Sequence, residues 1–311
     1  MKNILITGGS GFIGKNLVEQ CAARHAGKYR FFAPSHKELE LLDAEKTAAY
    51  VREHAITSII HCANTGGSRK TGYDEGRTDV MEKNLRMFFN IVRASDSVEQ
   101  IISLGSGAEY ARAHYLPRMK EEYFDRNVPQ DAYGFSKYVC ARYIERTDHI
   151  VNLRLFGVFG RHEDYTYKFI SNAIVKNLFG LPIVINQNVV FDFLPVNDLV
   201  GIIERVIGRH VRHRCYNVVS GEPVDLLTIA EKINHISGSP SEIIVRNPGL
   251  NTEYTGDNAR LRGEMPDISF TPLDKAIREL MSWYRTIISS LDRTMIEQDE
   301  YLRFCTTGKQ S

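Results

Sequence analysis

The stretch that most restricts what this chain can become is "ILITGGSGFIG", Ile4 to Gly14. An apolar run ends in glycines at positions 8, 11 and 14, and an amphipathic pattern begins directly behind them. That order reads as a strand, a tight turn and a helix. Glycines are needed at such a turn when a phosphate must approach the backbone with no Cβ in the way. The helix start then offers unpaired N–H groups and the positive end of its dipole. Gly8, Gly11 and Gly14, with Phe12 and Ile13 opening the helix, are therefore expected to hold the pyrophosphate of a dinucleotide. A plain strand-to-helix turn could use the same triplet, so the inference rests on its setting at the front of an alternating chain.

The alternation continues. Segments 3–8, 29–35, 56–64, 98–106 and 149–160 read as buried strands, and amphipathic segments near 12–25, 45–53, 79–95 and 132–147 read as helices between them. Strands separated by helices imply a doubly wound parallel sheet, fold class α/β. Beyond residue 160 the strict alternation fades. Helices are expected at 167–180, 197–208, 226–237 and 272–288, and strands at 181–185, 189–196 and 215–219. The expected division is a dinucleotide-binding domain over 1–160, rejoined by a segment near 188–218, and a smaller, discontinuous mixed α/β substrate domain over 161–311.

Composition narrows the partners. Of 311 residues 43% are hydrophobic and 25% charged, and the formal net charge is +1, which points to neither a nucleic-acid nor a membrane partner. No apolar run approaches the roughly 20 residues of a bilayer span, and "MKNILITGG" reads as a first strand rather than a signal peptide. Five scattered cysteines, never in a Cys-x-x-Cys pair, argue against a disulfide framework or zinc site and fit a reducing cytoplasm. His213 and His235 lack metal-ligand spacing; no metal is expected.

The second strand bears on cofactor choice. A carboxylate at its end would hold a ribose 2′-hydroxyl and repel a 2′-phosphate. Here "FFAPSHKELELLD" offers Ser35, His36 and Lys37 instead. A hydroxyl and two potential cations favour NADP(H), with NAD(H) possible; the same residues would also suit a solvated loop. Asp43 stands where a carboxylate could accept a bond from the adenine amino group.

Chemistry is carried by "DAYGFSKYVCARY". On a helix, Tyr133 and Lys137 stand one above the other. Bringing a phenol from a pKa of ~10 toward ~7 requires about 4 kcal/mol of phenolate stabilisation, and a neighbouring ammonium in a partly desolvated cleft supplies much of it. The tyrosine then becomes an acid or base usable at neutral pH. Ser106, ending a predicted parallel strand in "LGSGAEY", lies where such sheets bind ligands and could bond the reacting oxygen.

Taken together, TGGSGFIG, Ser106 four residues before Tyr110, the Tyr133–Lys137 pair, "LRLFGVFG", "FDFLPVNDL" and the closing "FTPLDKAIRELMSWY" resemble the extended short-chain dehydrogenase/reductase family of nucleotide-sugar epimerases, dehydratases and reductases. The resemblance implies a Rossmann domain and a Ser106, Tyr133, Lys137 catalytic set, with Lys137 also bonding the nicotinamide ribose. It implies a structural role for Asn84, packing for His61 and Cys62, and cofactor contact at Ala63. Asn64, Gly66 and Gly67 follow at the cleft; Asn64, Gly107 and Ala108 are candidate substrate contacts, with Lys168 in "YTYKFISNAI". Helices near 80–95 and 132–147 resemble the pair that builds the family's dimer interface, where Phe88, Phe89 and Val139 would be buried between two copies.

Departures from the family's pattern narrow the reaction. Its dehydratases carry an Asp-Glu pair after the residue matching Ser106, and here those positions are Gly107 and Ala108, with Glu109 one step further on. Ala108 also stands where deoxysugar synthases that epimerise before reducing have a cysteine. The phosphate-contacting asparagine and arginine of the family are Gly157 and Phe191. The reading is NAD(P)H-dependent reduction of a keto-sugar, most consistent with a nucleotide-linked 4-keto-6-deoxyhexose. The alternatives are an NAD-dependent nucleotide-sugar 4-epimerase and, more remotely, a non-catalytic dinucleotide-binding regulator.

Overall fold

Apolar residues on both sides of each strand decide the architecture. In the computed structural model, which describes residues 1–25, 27–66 and 79–305, the first half of the chain runs β1 (Lys2–Thr7), α1 (Phe12–Arg24), β2 (Tyr29–Phe32), α2 (Ala44–Glu53), β3 (Ser58–His61), α3 (Asp79–Arg93), β4 (Gln100–Ser106), α4 (Ala132–Ile144) and β5 (Ile150–Leu155). Successive strand residues point to opposite faces. Ile4 and Ile6 pack with Leu17, Leu199 and Ile203 on one face, and Leu5 packs with Val51, Met87 and Ile91 on the other. The same split separates Ile60 from Ile59 and Ile102 from Ile101. A parallel sheet clothed by helices on both faces needs that pattern.

The second half runs β6 (Gly157–Phe159), α5 (Phe169–Leu178), β7 (Ile183–Asn188), β8 (Val190–Phe191), β9 (Phe193–Pro195), α6 (Val196–Val206), β10 (Cys215–Val218), β11 (Val224–Asp225), α7 (Leu226–Ser237), β12 (Ile243–Leu250), α8 (Ala259–Glu264), α9 (Leu273–Ile287), α10 (Arg293–Glu297) and α11 (Glu300–Phe304). Six strands form one sheet in the order β10-β5-β4-β3-β1-β2, every neighbouring pair parallel. The doubly wound parallel sheet expected from the alternation is borne out. From β1 the chain steps to β2 on one side and then returns for β3 on the other, so the strand order reverses between the carboxyl ends of β1 and β3. Ligands of such sheets bind in that crevice.

Leu194, Leu199 and Val218 join the apolar cluster of the sheet. Ile174, Ile185, Ile229 and Ile277, from α5, β7, α7 and α9, belong to a second cluster. Among the described residues no helix is long and apolar enough to cross a membrane.

Three strand expectations change. Segment 189–196 is two pieces: β8 pairs antiparallel with β11, and β9 pairs parallel with β6. The break is Asp192, which is fully buried and accepts bonds from the Ser220 N–H, the Ser220 hydroxyl and the Gly221 N–H at 2.8, 2.6 and 3.0 Å. Its carboxylate takes the place of a strand partner and redirects the chain. Segment 149–160 likewise divides at Phe156, and the strand begun at Tyr29 stops at Phe32, short of Ser35. The parallel partner of β7, β12, was not anticipated, because its residues are largely exposed and show no alternation.

Candidate active site

β4 delivers Ser106 to the carboxyl end of the sheet, and a single 3-10 turn, Gly107–Tyr110, follows directly. Ser106 caps that turn. Its Oγ accepts the Ala108 N–H at 3.1 Å, and its own N–H donates to Glu109 Oε1 at 2.9 Å, a reciprocal capping arrangement. A hydroxyl used in this way as an acceptor keeps its proton for a ligand oxygen. The first turn of α4 backs onto the same turn: a Cβ added at Gly134 would lie 2.9 Å from the Ala108 carbonyl oxygen, and Tyr133 packs with Ala108 and Val80. Asp131 sets where α4 starts, accepting the Gly134 N–H at 2.8 Å.

One turn on, the Lys137 ammonium lies 5.9 Å from the centre of the Tyr133 ring and donates to the Leu104 carbonyl at 2.9 Å. Tyr133 thus packs against the turn that Ser106 caps, with a cation held one helical turn further on. Burial lowers the pKa of Lys137, while Cys140, Glu109 and Cys62 pull it back up. The ammonium shares a small cavity with His61, Asn84, Glu109 and Asn152. His61 is buried beside Thr7, its Nδ1 2.9 Å from the hydroxyl, and burial brings its pKa down to about 3, with the Lys137 charge acting in the same direction. It is a neutral packing residue at physiological pH.

The glycines form the floor of the crevice. Gly8 has φ +67°, and a Cβ there would lie 2.7 Å from the Ala63 nitrogen on β3's extension; one at Gly14 would lie 2.1 Å from the Gly8 carbonyl oxygen. Gly11 caps α1 without any side-chain hydrogen bond, so the N–H groups at the helix start remain available to an anion. These residues fit a dinucleotide pyrophosphate. The Ser106 turn follows β4 and the glycine turn follows β1, at the carboxyl ends of strands of one sheet.

Comparison with known proteins accords with that geometry. Residues 4–219 match the NAD dependent epimerase/dehydratase family. The chain belongs to that family. The expectation of an NAD(P)-dependent enzyme of the extended short-chain dehydrogenase/reductase type is borne out at the level of the family. GDP-L-colitose synthase of Yersinia pseudotuberculosis is 30% identical over 186 residues, which are 56% of this chain and 59% of the synthase, so the chain spans less than two thirds of that relative. The dTDP-4-dehydro-6-deoxyglucose reductase of Escherichia coli is 23% identical over 319 residues, 91% of this chain and 97% of the reductase. The solved GDP-L-fucose synthetase of Naegleria fowleri, bound to NADP, has the same fold, with a TM-score of 0.81 at 18% identity over 93% of this chain and 94% of that one.

Other expected positions of this epimerase/dehydratase family member differ in how they are held. Ser35, His36 and Lys37 are exposed on the turn after β2, and both the Ser35 N–H and its hydroxyl donate to Glu38 Oε2 at 2.8 Å. Those two bonds hold the Glu38 carboxyl below its ordinary pKa, so a negative charge stands among the residues read as phosphate binders. Asp43 caps α2, one oxygen accepting the Lys46 N–H at 3.0 Å and the other facing its ammonium at 3.3 Å. Asn64 is exposed and donates to the Gly66 carbonyl at 3.2 Å; Gly67 lies outside the described residues. Lys168 caps the start of α5 with its ammonium 5.6 Å from the Tyr167 ring centre, away from the Ser106 turn in sequence and element. Asn84 is a tie: its side-chain oxygen accepts the Thr65 N–H and its nitrogen donates to the Thr65 carbonyl at 2.8 and 2.9 Å. Among the described residues no group of three or more His, Cys, Asp or Glu could hold a metal.

Two features escaped sequence reasoning. Gly107 is backed by Tyr254 and Phe156, whose atoms lie 2.5 and 2.8 Å from where its Cβ would be, and Tyr254 also meets Tyr115 and Phe191. Nothing local joins residues so far apart in sequence. The other is Glu109, completely buried with Arg154 Nε 2.6 Å from its Oε2. The only signal for it was an arginine inside the apolar run of β5. This pairing also answers the question raised by Glu109's place near the dehydratase acids: its carboxylate is committed to Arg154, Asn152 and the Ser106 N–H.

Proposed function

We propose that the chain reduces a keto-sugar with NADPH, the substrate being a nucleotide-linked 4-keto-6-deoxyhexose. The observation that supports this reading is Tyr133 packed against the turn that Ser106 caps, with the Lys137 ammonium 5.9 Å from the centre of its ring, beside positions 107 and 108 that hold no acid and a Glu109 tied up in an ion pair. Bound NADPH supplies the hydride to the keto carbon. Tyr133 donates the proton to the developing alkoxide, Ser106 donates a hydrogen bond to the same oxygen, and Lys137 stabilises the phenolate left behind and grips the ribose. Elimination of water would need a free acid and base at 107–109, and none is offered. The names of the colitose synthase and of the 4-dehydro-6-deoxyglucose reductase support the substrate class.

Preference for NADPH over NADH is supported by Ser35, His36 and Lys37 at the end of β2 and by the NADP of the Naegleria structure. We assign the substrate side to residues 161–311, with 188–218 returned to the sheet domain, and Lys168 to the substrate's phosphates. A homodimer through α3 and α4 completes the reading. Phe88, only 2% exposed, is already used by the chain's own core, which leaves half-buried Phe89 and Val139, with Tyr143 beside them, for the partner. The test is a panel of keto-sugar nucleotides with NADPH and NADH: oxidation of NADPH by wild type but not by Tyr133→Phe is expected, and equal rates for the two proteins would refute the assignment. A 4-epimerase retaining NAD would use the same three groups; stoichiometric NAD released from purified protein would favour it.

A further inference from the structure

Glu109 and Arg154 are both inaccessible to solvent, paired at 2.6 Å directly behind the catalytic corner. Such a pair does little for stability, since apolar residues of similar volume usually serve as well. Yet the strand end is shaped around it. A Cβ at Gly105 would lie 2.3 Å from Glu109 Oε1 and 2.2 Å from Asn152 Oδ1, so only glycine admits the carboxylate there. Oε1 accepts the Ser106 N–H, both oxygens accept from Asn152 Nδ2 at 3.2 and 3.0 Å, and Arg154 is itself held between the rings of Tyr110 and Phe124.

We propose that Glu109 is a positioning residue of the active site: anchored by Arg154, its carboxylate orients Ser106 through the backbone and keeps a negative charge on the cavity that Lys137 enters. The inference rests on the proposed Ser106, Tyr133 and Lys137 roles. The groups facing Lys137 are His61 and Cys62 at the end of β3, Tyr133 and Cys140 on α4, and Glu109 on the turn, with Arg154 of β5 behind it; α3 contributes Asn84 and Phe88, which carry no charge. His61 is neutral and desolvation pushes the Cys62 and Cys140 thiols up to about 12, so Glu109 is the one carboxylate among these groups. Without it the ammonium loses its counter-charge and gives up its proton at lower pH.

The test uses Arg154→Met as background, so that no buried cation is left unpaired, and compares Glu109→Gln, which keeps an acceptor for the Ser106 N–H, with Glu109→Ala, which does not. The alkaline limb of NADPH binding, followed by nucleotide fluorescence, and of kcat/KM should move down by about one pH unit in both double variants. The alanine variant should lose a further factor of roughly ten in kcat with KM unchanged. A folded glutamine variant whose limb stays at the wild-type pH overturns the proposal, as does an alanine variant no slower than the glutamine one. Failure of both to fold would make the carboxylate a structural requirement and overturn it equally. A wild type that binds NADPH but reduces no keto-sugar would sink the substrate reading instead, and the binding limb would still report on Glu109.

Discussion

The corner formed by Ser106, Tyr133 and Lys137 and the turn formed by Ser35, His36 and Lys37 lie beyond the carboxyl ends of β4 and β2, and they are made in opposite ways. The first hangs on the end of β4 and the start of α4, with the Ser106, Ala108 and Gly134 N–H groups and the Leu104 carbonyl bonded to side chains and a buried ion pair underneath. The second is exposed and held by its own neighbours, Glu38 on the Ser35 N–H and hydroxyl and the Leu39 N–H on the Ser35 carbonyl. Groups that must meet a reacting atom within tenths of an ångström need rigid support. A group that only discriminates a 2′-phosphate from a hydroxyl works by charge and tolerates a loose setting. The chemistry of this chain should therefore resist change, and its cofactor preference should yield to single substitutions.

That contrast can be broken at several points. Tyr133→Phe should lower kcat by about 10²- to 10⁴-fold with the fold and NADPH affinity kept, since a proton donor is lost and little else; steady-state kinetics with a thermal melt checks it. Gly14→Val, whose Cβ would meet the Gly8 carbonyl oxygen at 2.1 Å, should destabilise by about 3 kcal/mol or more and abolish nucleotide binding, measured by denaturant titration and fluorescence.

Acid sensitivity belongs to the corner as well. The pKa of His61 is near 3 when folded and about 6.5 when free, so only the unfolded chain takes up the proton between those values. Stability should fall by up to about 1.4 kcal/mol per pH unit as pH drops below about 6.5, levelling off near 3. His61→Gln should flatten that slope in melts recorded from pH 7 to 5. At the exposed turn the effects should be smallest. Lys37→Glu is expected to cut the NADPH:NADH affinity ratio by roughly tenfold, and Glu38→Gln to raise it by roughly two- to threefold, both weakening as salt is added. A large loss of turnover in either would mean the turn is not the separate, adjustable region described.

The candidate site was legible in the sequence because its parts are short and local. The glycine triplet, a tyrosine and lysine four apart on α4 and a serine ending β4 each lie within one element and the loop beside it. The commitments of Asp43 to its own helix, of Ser35 to Glu38 and of Phe88 to the core were not legible, since a candidate ligand and a satisfied structural group look alike in sequence. Asp192, which breaks an apparently continuous strand, shows the same limit for the fold.

Periodicity and the glycine triplet determined that this chain would make a doubly wound parallel sheet with a close-packed glycine turn after its first strand, because burial on two faces and close backbone approach leave their marks on neighbouring residues. What stands behind Ser106 was decided only by tertiary structure. Glu109 and Arg154 are 45 positions apart, and a charge becomes tolerable in a protein interior only through a partner that folding brings within reach.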